Sequence, residues 1–245
     1  METTRGCPWG HCTFCSTKAF WGTVVWRNKP IETIVEELKD MEKLGVKRGT
    51  LTDEEFFGYG MEGVERAKDL ALAIIKSGVK ISFYANDKPE DRKKRIETLR
   101  LLKQAGLDII YLGIESGSAS QLKRYAKGMD IVEAEMAIKI CKELGINMAI
   151  GWLMFEPLVT VEEISESLEF IKRNKILPYL STPLNQLRMY PVIPYIQLVK
   201  IEERKSGKQL IDKEFEGGSL TFKIVGYQDN RVEAILKFLE KYSND

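Results

Sequence analysis

The sequence contains one histidine and four cysteines in 245 residues, and three of those cysteines plus the histidine fall within residues 7–15. It has no run of roughly 18 apolar residues, so no segment reads as a membrane-spanning helix. Its first ten residues, METTRGCPWG, lack the apolar core of a secretory signal. Without a secretion signal the cysteines do not read as a disulfide framework, and clustered thiols point to a reducing compartment, the cytoplasm. Neither sign of charge is in excess: 37 basic and 36 acidic residues leave a formal charge of +1. A phosphate backbone calls for a basic surplus, so composition gives no support for a dedicated nucleic-acid binder. Internal repeats and low-complexity stretches are also missing. What remains, 44% hydrophobic and 30% charged residues, is ordinary for a globular chain with a sizeable core.

Cys7, Cys12 and Cys15 stand in the stretch CPWGHCTFC. Three thiolates on one loop can hold three corners of a cuboidal iron–sulfur cluster and leave the fourth iron open. The competing reading is a zinc site in which His11 is the fourth ligand. That site would require adjacent His11 and Cys12 to ligate one ion. Cys141 differs from the other three. In AEMAIKICKELG it shares helical spacing with Ala137 and Leu144, which predicts a small hydrophobe on a buried helix face.

Downstream of the cysteines, helices and strands alternate. Helix patterns cover residues 30–44, 63–77, 89–106 (opened by Pro89), 118–127, 131–144 and a segment after Thr160, where Thr160 and Glu163 form a capping box. Strand patterns cover 46–51, 80–85, 108–114, 146–155 and a stretch within 179–189. Several are apolar without alternation, as expected for strands buried on both faces. No G-x-G-x-x-G follows the first strand, which weakens a dinucleotide-binding reading. The alternation predicts an α/β fold with a parallel sheet in about six βα units, either an open doubly wound sheet or a partial TIM-like barrel. In both, ligands sit at the C-terminal strand ends. Asp53, Glu54, Glu55, Asn86, Asp87, Glu115, Ser116, Glu156 and Arg188 fall there, on the same rim as the cysteine loop. Residues 191–245 read as a short C-terminal appendage on a barrel of residues 1–190, with a helix from Tyr195, a strand near 220–225 and a last helix over 231–242.

In this order, the stretches TTRGCPWGHCTFC, LTDEEFF, YLGIESGS, YAKG and GWLMFEP-x-x-T-x-E-E resemble the radical S-adenosylmethionine (SAM) superfamily, and VGYQDNRVEAIL adds to the match. The likeness is to the cobalamin-dependent subgroup and covers nearly the whole chain. The usual superfamily spacing places three residues between the first two cysteines; here Pro8, Trp9, Gly10 and His11 make four. A literal G-x-I-x-G-x-x-E motif is absent from strand five.

The resemblance implies a partial (βα)6 TIM-like barrel with a [4Fe–4S] cluster on Cys7, Cys12 and Cys15, and SAM on the open iron. Phe14 would pack on the adenine, and Asp53 and Glu54 would hold the SAM amino group. Glu115, with Ser116 beside it, would meet the ribose hydroxyls, and Lys127 the methionine carboxylate. Trp152 and Leu153 would lie beside the adenine, with Arg188 a further candidate. One electron would cleave SAM to methionine and a 5′-deoxyadenosyl radical that abstracts hydrogen from a small-molecule or peptide substrate. That step needs no acid–base pair or protein nucleophile, so no catalytic side chain is assigned, which agrees with the scarcity of histidine. Implied partners are an electron donor such as flavodoxin or ferredoxin and a cobalamin-binding domain on another segment or chain. With cobalamin, methyl transfer to carbon or phosphorus becomes available. The competing functions are a zinc-binding, non-catalytic α/β module and a degenerate partner subunit that keeps the fold without turnover. Only Met1–Arg5 precede the cysteine loop, which leads us to expect that the chain starts inside the first strand of a larger protein.

Overall fold

The computed structural model describes residues 1–22, 25–58, 60–87, 92–180, 182–212 and 220–242. The elements are β1 (Thr4–Arg5), α1 (Thr17–Trp21), β2 (Arg27–Asn28), α2 (Ile31–Lys43), β3 (Arg48–Thr50), α3 (Gly60–Ser77), β4 (Ser82–Asp87), α4 (Arg92–Ala105) and β5 (Leu107–Glu115). They continue with α5 (Ala119–Arg124), α6 (Ile131–Leu144), β6 (Asn147–Trp152), α7 (Val161–Asn174), a 3-10 turn at Leu177–Tyr179, α8 (Tyr195–Ser206), β7 (Ile211–Asp212), β8 (Lys223–Ile224) and α9 (Asn230–Tyr242). Among the described residues no helix is long and apolar enough to cross a membrane. The expected opening of the third helix at Pro89 lies outside the described residues.

The chain forms two compact units. The first comprises Met1–Gly10, Phe20–Ile114 and Met129–Gly151. Its centre is a four-stranded sheet in the order β3-β4-β5-β6, with β3–β4 and β4–β5 parallel. Phe83, Ala85, Ile110, Leu112, Met148 and Ile150 on the strands, and Ile34, Leu38, Ala67, Leu70, Leu99, Leu102 and Ala137 on the helices, are buried. Cys141 is fully buried on α6, as its helical spacing predicts. The helices stop where the chain supplies a left-handed residue. Gly145, at φ 61°, caps α6 and returns its N–H to Lys142 O and Cys141 O.

Two sequence expectations change. Strand β4 alternates: Phe83, Ala85 and Asp87 are buried while Ser82, Tyr84 and Asn86 are half-exposed. One sheet face is therefore buried, with Asp87 paired to Arg95 among apolar side chains, and on the other Ser82 and Asn86 donate to Lys47 O and Asp53 O. Met1 lies beside β3, donating to Thr50 O and accepting from Thr52 N. The Asp53 side chain then takes over the next amides, and Thr4–Arg5 turn away to pair antiparallel with Arg27–Asn28. No named strand lies in 179–189 among the described residues. Instead Phe155 bridges Gln186 in parallel fashion and Met189 bridges Phe222 antiparallel. Pro183 lacks an amide to donate, which shortens any ladder there.

The second unit comprises His11–Ala19, Glu115–Gly128 and Trp152–Asp245. Its core joins Tyr125, Leu153, Leu158, Leu187, Met189, Ile193, Tyr195, Ile196, Val199, Leu210 and Ile211, with Phe14 packed against it. Helix α7 begins at the predicted capping box: Glu163 N donates to Thr160 Oγ1, and Thr160 N donates to Glu163 Oε2. The β7–β8 pair is antiparallel.

Candidate functional site

In the first unit, the acidic stretch after β3 is used to fix the chain that leads into the cysteines. Asp53 is fully buried and accepts three hydrogen bonds: Thr3 N at 2.6 Å, Thr3 Oγ1 at 2.5 Å and Thr4 N at 2.9 Å. The resemblance assigns this carboxylate to the SAM amino group, and here protein donors already make three hydrogen bonds to it. Glu54 is half-buried and accepts from Gly6 N at 3.0 Å, one residue before Cys7. Gly6 sits at φ 91°, and a Cβ there would meet Val25 O at 2.4 Å, so the entry to the loop admits only glycine without rearrangement. Arg66 braces the same segment by donating to Thr3 O and Phe56 O. Its guanidinium lies over Trp26 and Phe56, and burial holds its pKa below the usual arginine value.

In the second unit, Cys12 and Cys15 bound a tight turn in which Cys15 N donates to Cys12 O at 3.2 Å. The Cys15 thiol donates to Thr17 Oγ1 at 3.1 Å, and its sulfur accepts from Thr17 N at 3.4 Å. All four cysteines are outside any disulfide. Among the described residues no three His, Cys, Asp or Glu side chains converge on one point. The donor chemistry nevertheless fits a soft metal centre: half-buried thiols on one loop, with the Thr17 amide donating to the Cys15 sulfur. Binding sites of this kind are gathered by the metal itself, because thiolates repel one another without it. His11 is solvent-exposed at the tip of the loop.

Phe14, Lys127 and Glu115 come together. Lys127 Nζ lies 3.2 Å from Glu115 Oε1 and 5.7 Å from the centroid of the Phe14 ring. Both charged side chains are nearly buried, where such a pair interacts far more strongly than in water. Phe14 also meets Tyr125 edge-on at 5.1 Å. Glu115 adopts φ 71°, a left-handed conformation rare for a residue with a side chain. Its carbonyl accepts from Leu153 N at 2.8 Å, which fixes the end of β5.

The other predicted residues are placed differently. Ser116 is fully buried, and its hydroxyl serves the turn: it donates to Gln121 Oε1, accepts from Ser118 N and lies near Ser167 Oγ. Trp152 is buried, stacked on Phe170 at 5.9 Å, and its Nε1 has no hydrogen-bond partner. Its carbonyl accepts from Asn185 Nδ2. Leu153 is buried, with its carbonyl accepting from Tyr125 Oη at 3.4 Å. Gly117 permits the close approach beneath, since a Cβ there would lie 2.4 Å from Phe170 Cβ. Arg188 is exposed and is not part of the Phe14–Lys127–Glu115 group.

Sequence reasoning missed a buried ionic network in this unit. Arg124 donates through Nε and Nη2 to Glu156 Oε1, at 3.1 and 2.5 Å, and through Nη1 and Nη2 to Glu163, at 2.9 and 2.6 Å. Ser120 adds a bond to Glu163 at 2.6 Å, and the Tyr195 hydroxyl donates to Glu156 Oε2. Burial alone would raise the Glu163 pKa, but bonds from Arg124 and Ser120 hold it below the ordinary carboxylate value. Burial, reinforced by Glu156, pushes the Tyr125 and Tyr195 phenols well above theirs, so both stay protonated donors. Glu156 was legible as a rim residue. Its partners sit 32 residues before it and 39 after, with no local signal linking them.

The comparisons bear on this arrangement. 4′-Phospho-dehydrooxetanocin synthase of Priestia megaterium is 32% identical over 195 residues, covering 72% of this chain and 26% of that protein. Hopanoid C-3 methylase of Methylococcus capsulatus is 28% identical over 151 residues, covering 62% of this chain and 28% of that protein. The solved structure of the cobalamin-dependent S-adenosylmethionine radical enzyme OxsB, with aqua-cobalamin and S-adenosylmethionine bound, aligns with a TM-score of 0.84 at 25% identity. That alignment covers 98% of this chain and 41% of OxsB. The chain thus spans well under half the length of these relatives. The model of the Radical SAM superfamily matches residues 1–171, which include the three clustered cysteines, the Phe14–Lys127–Glu115 group and the parallel sheet. On that match the chain belongs to the radical SAM superfamily.

Proposed function

We propose that the protein is a radical SAM enzyme in which Cys7, Cys12 and Cys15 hold a [4Fe–4S] cluster and SAM occupies the remaining iron. The observation that carries this reading is the assembly of Phe14, Lys127 and Glu115 beside the Cys12–Cys15 turn: an aromatic ring, a cation and a carboxylate suited to adenine, methionine carboxylate and ribose. When bound, the cluster and SAM supply reductive cleavage of a sulfonium carbon–sulfur bond. The chain's own residues bind and orient. Lys127, held by Glu115, presents a fixed cation to the carboxylate. Glu115 keeps a second carboxylate oxygen for hydroxyl donors. Among the described bonds of the two acidic residues, Glu54 accepts one, from Gly6 N, against three on Asp53, which favours Glu54 for the amino group. The buried Trp152 and Leu153 wall the strand end against water. Arg188, the further cofactor-binding candidate, is exposed and lends this reading no support.

The relatives named above support a small-molecule substrate and methyl transfer with cobalamin bound elsewhere in the full protein or on another chain. A flavodoxin- or ferredoxin-type electron donor in the cytoplasm completes the proposal. The test is anaerobic reconstitution with iron and sulfide, followed by SAM and dithionite. A brown protein with broad absorbance at about 400 nm that releases 5′-deoxyadenosine is the expected result. A colourless protein holding stoichiometric zinc sinks the reading in favour of a zinc module. An intact cluster with no 5′-deoxyadenosine favours a degenerate partner subunit.

A further inference from the structure

Thr13 stands in the middle of the Cys12–Cys15 turn, and all three of its polar groups are spent on helix ends. Its N–H donates to Tyr125 O at 2.9 Å and its hydroxyl to Arg124 O at 3.0 Å, both at the C-terminal end of α5. Its carbonyl accepts from Tyr195 N at 2.8 Å, the first amide of α8. These helix-end groups have no partner within their own helices, so one loop residue satisfies two helices at once. Both helix ends are themselves locked. The Tyr195 hydroxyl donates to Glu156, Arg124 spans Glu156 and Glu163, and Leu158 N donates to Glu156 Oε2 at 2.6 Å. Glu156 is fully buried and so is Tyr195, so the lock is shielded from water.

We propose that Tyr195 and Glu156 are positioning residues for the iron–sulfur cluster: acting through Thr13, they fix the Cys12–Cys15 turn that carries two of the thiols, without touching the metal. This rests on the cluster reading above. It goes beyond the superfamily core, because Tyr195 lies outside the matched residues 1–171. The chain beyond that core thereby becomes part of the metal site's support.

The test uses the full chain, reconstituted anaerobically, as Tyr195→Phe and Glu156→Gln. Tyr195→Phe removes one hydroxyl and keeps the ring packing, so it serves even where Glu156→Gln fails to fold. The readouts are the rate of iron loss to a ferrous chelator and the electron paramagnetic resonance spectrum of the reduced cluster. Asp130→Ala is the comparison variant: it removes the N-cap of α6, which belongs to the first unit. Outer-shell partners of a metal typically change affinity 10–100-fold, so iron release about tenfold faster with an altered spectrum is expected for Tyr195→Phe. Asp130→Ala should lower the unfolding midpoint and leave both readouts at wild-type values. Unchanged release and spectrum in Tyr195→Phe, or equal acceleration in Asp130→Ala, overturns the proposal. Wild-type protein that takes up no cluster overturns the cluster reading itself, a separately visible result.

Discussion

Cys12→Ala is expected to abolish the brown chromophore after reconstitution and to reduce 5′-deoxyadenosine formation to background, with the far-UV circular dichroism unchanged. The effect is all-or-none because a cuboidal cluster with one iron open for SAM has three protein ligands and no spare. Cys12 sits on a half-buried loop rather than in either core, so the side chain's loss does not open a large cavity. Cys141→Ala is the matched control. That thiol is fully buried on α6 and packs as a small hydrophobe, so its loss costs stability, on the order of 1 kcal/mol, and leaves the chromophore intact. A chromophore that survives Cys12→Ala but disappears with Cys141→Ala would reverse the assignment of the cysteines.

Asp53→Ala is expected to destabilise the fold by about 3–5 kcal/mol, read as a fall in the urea midpoint. The substitution strands the buried Thr3 and Thr4 amides and the Thr3 hydroxyl, each worth about 1–3 kcal/mol when left without an acceptor, less whatever relaxation recovers. Against a typical domain stability of about 5–15 kcal/mol this is a severe loss. Glu54→Gln behaves differently. It keeps an oxygen for Gly6 N, so the urea midpoint moves little while the KM for SAM rises. If Asp53→Ala kept the native midpoint and lost only SAM affinity, the carboxylate would be a ligand group after all.

The contrast between these two residues shows where the sequence was readable. Helices α2, α6 and α7 were legible because amphipathic spacing, Thr160 with Glu163, and Gly145 are local signals. So was the buried role of Cys141. The Phe14, Glu115 and Lys127 positions came from motif order, and the fold brings them together. Asp53 could not be told from Glu54, because the donors that bond to it lie 49 and 50 residues earlier. Tyr125 and Tyr195 carried no separate signal: an aromatic residue beside a helix reads as core, and both are core as well as hydrogen-bond donors. The β1–β2 pair is two residues long on each side, below the length at which strand periodicity registers.

One backbone angle has a practical consequence for anyone engineering this protein. Glu115 holds a left-handed conformation that a glycine would occupy without cost and that a side chain makes dearer by about 1–2 kcal/mol. Glycine at 115 would relieve that strain, but removing the carboxylate from the buried Lys127 ammonium costs about 3–5 kcal/mol, which outweighs the gain. A screen scored on heat resistance and one scored on cofactor retention would therefore both keep the glutamate, because the group that steadies Lys127 also offsets the strain of its own backbone.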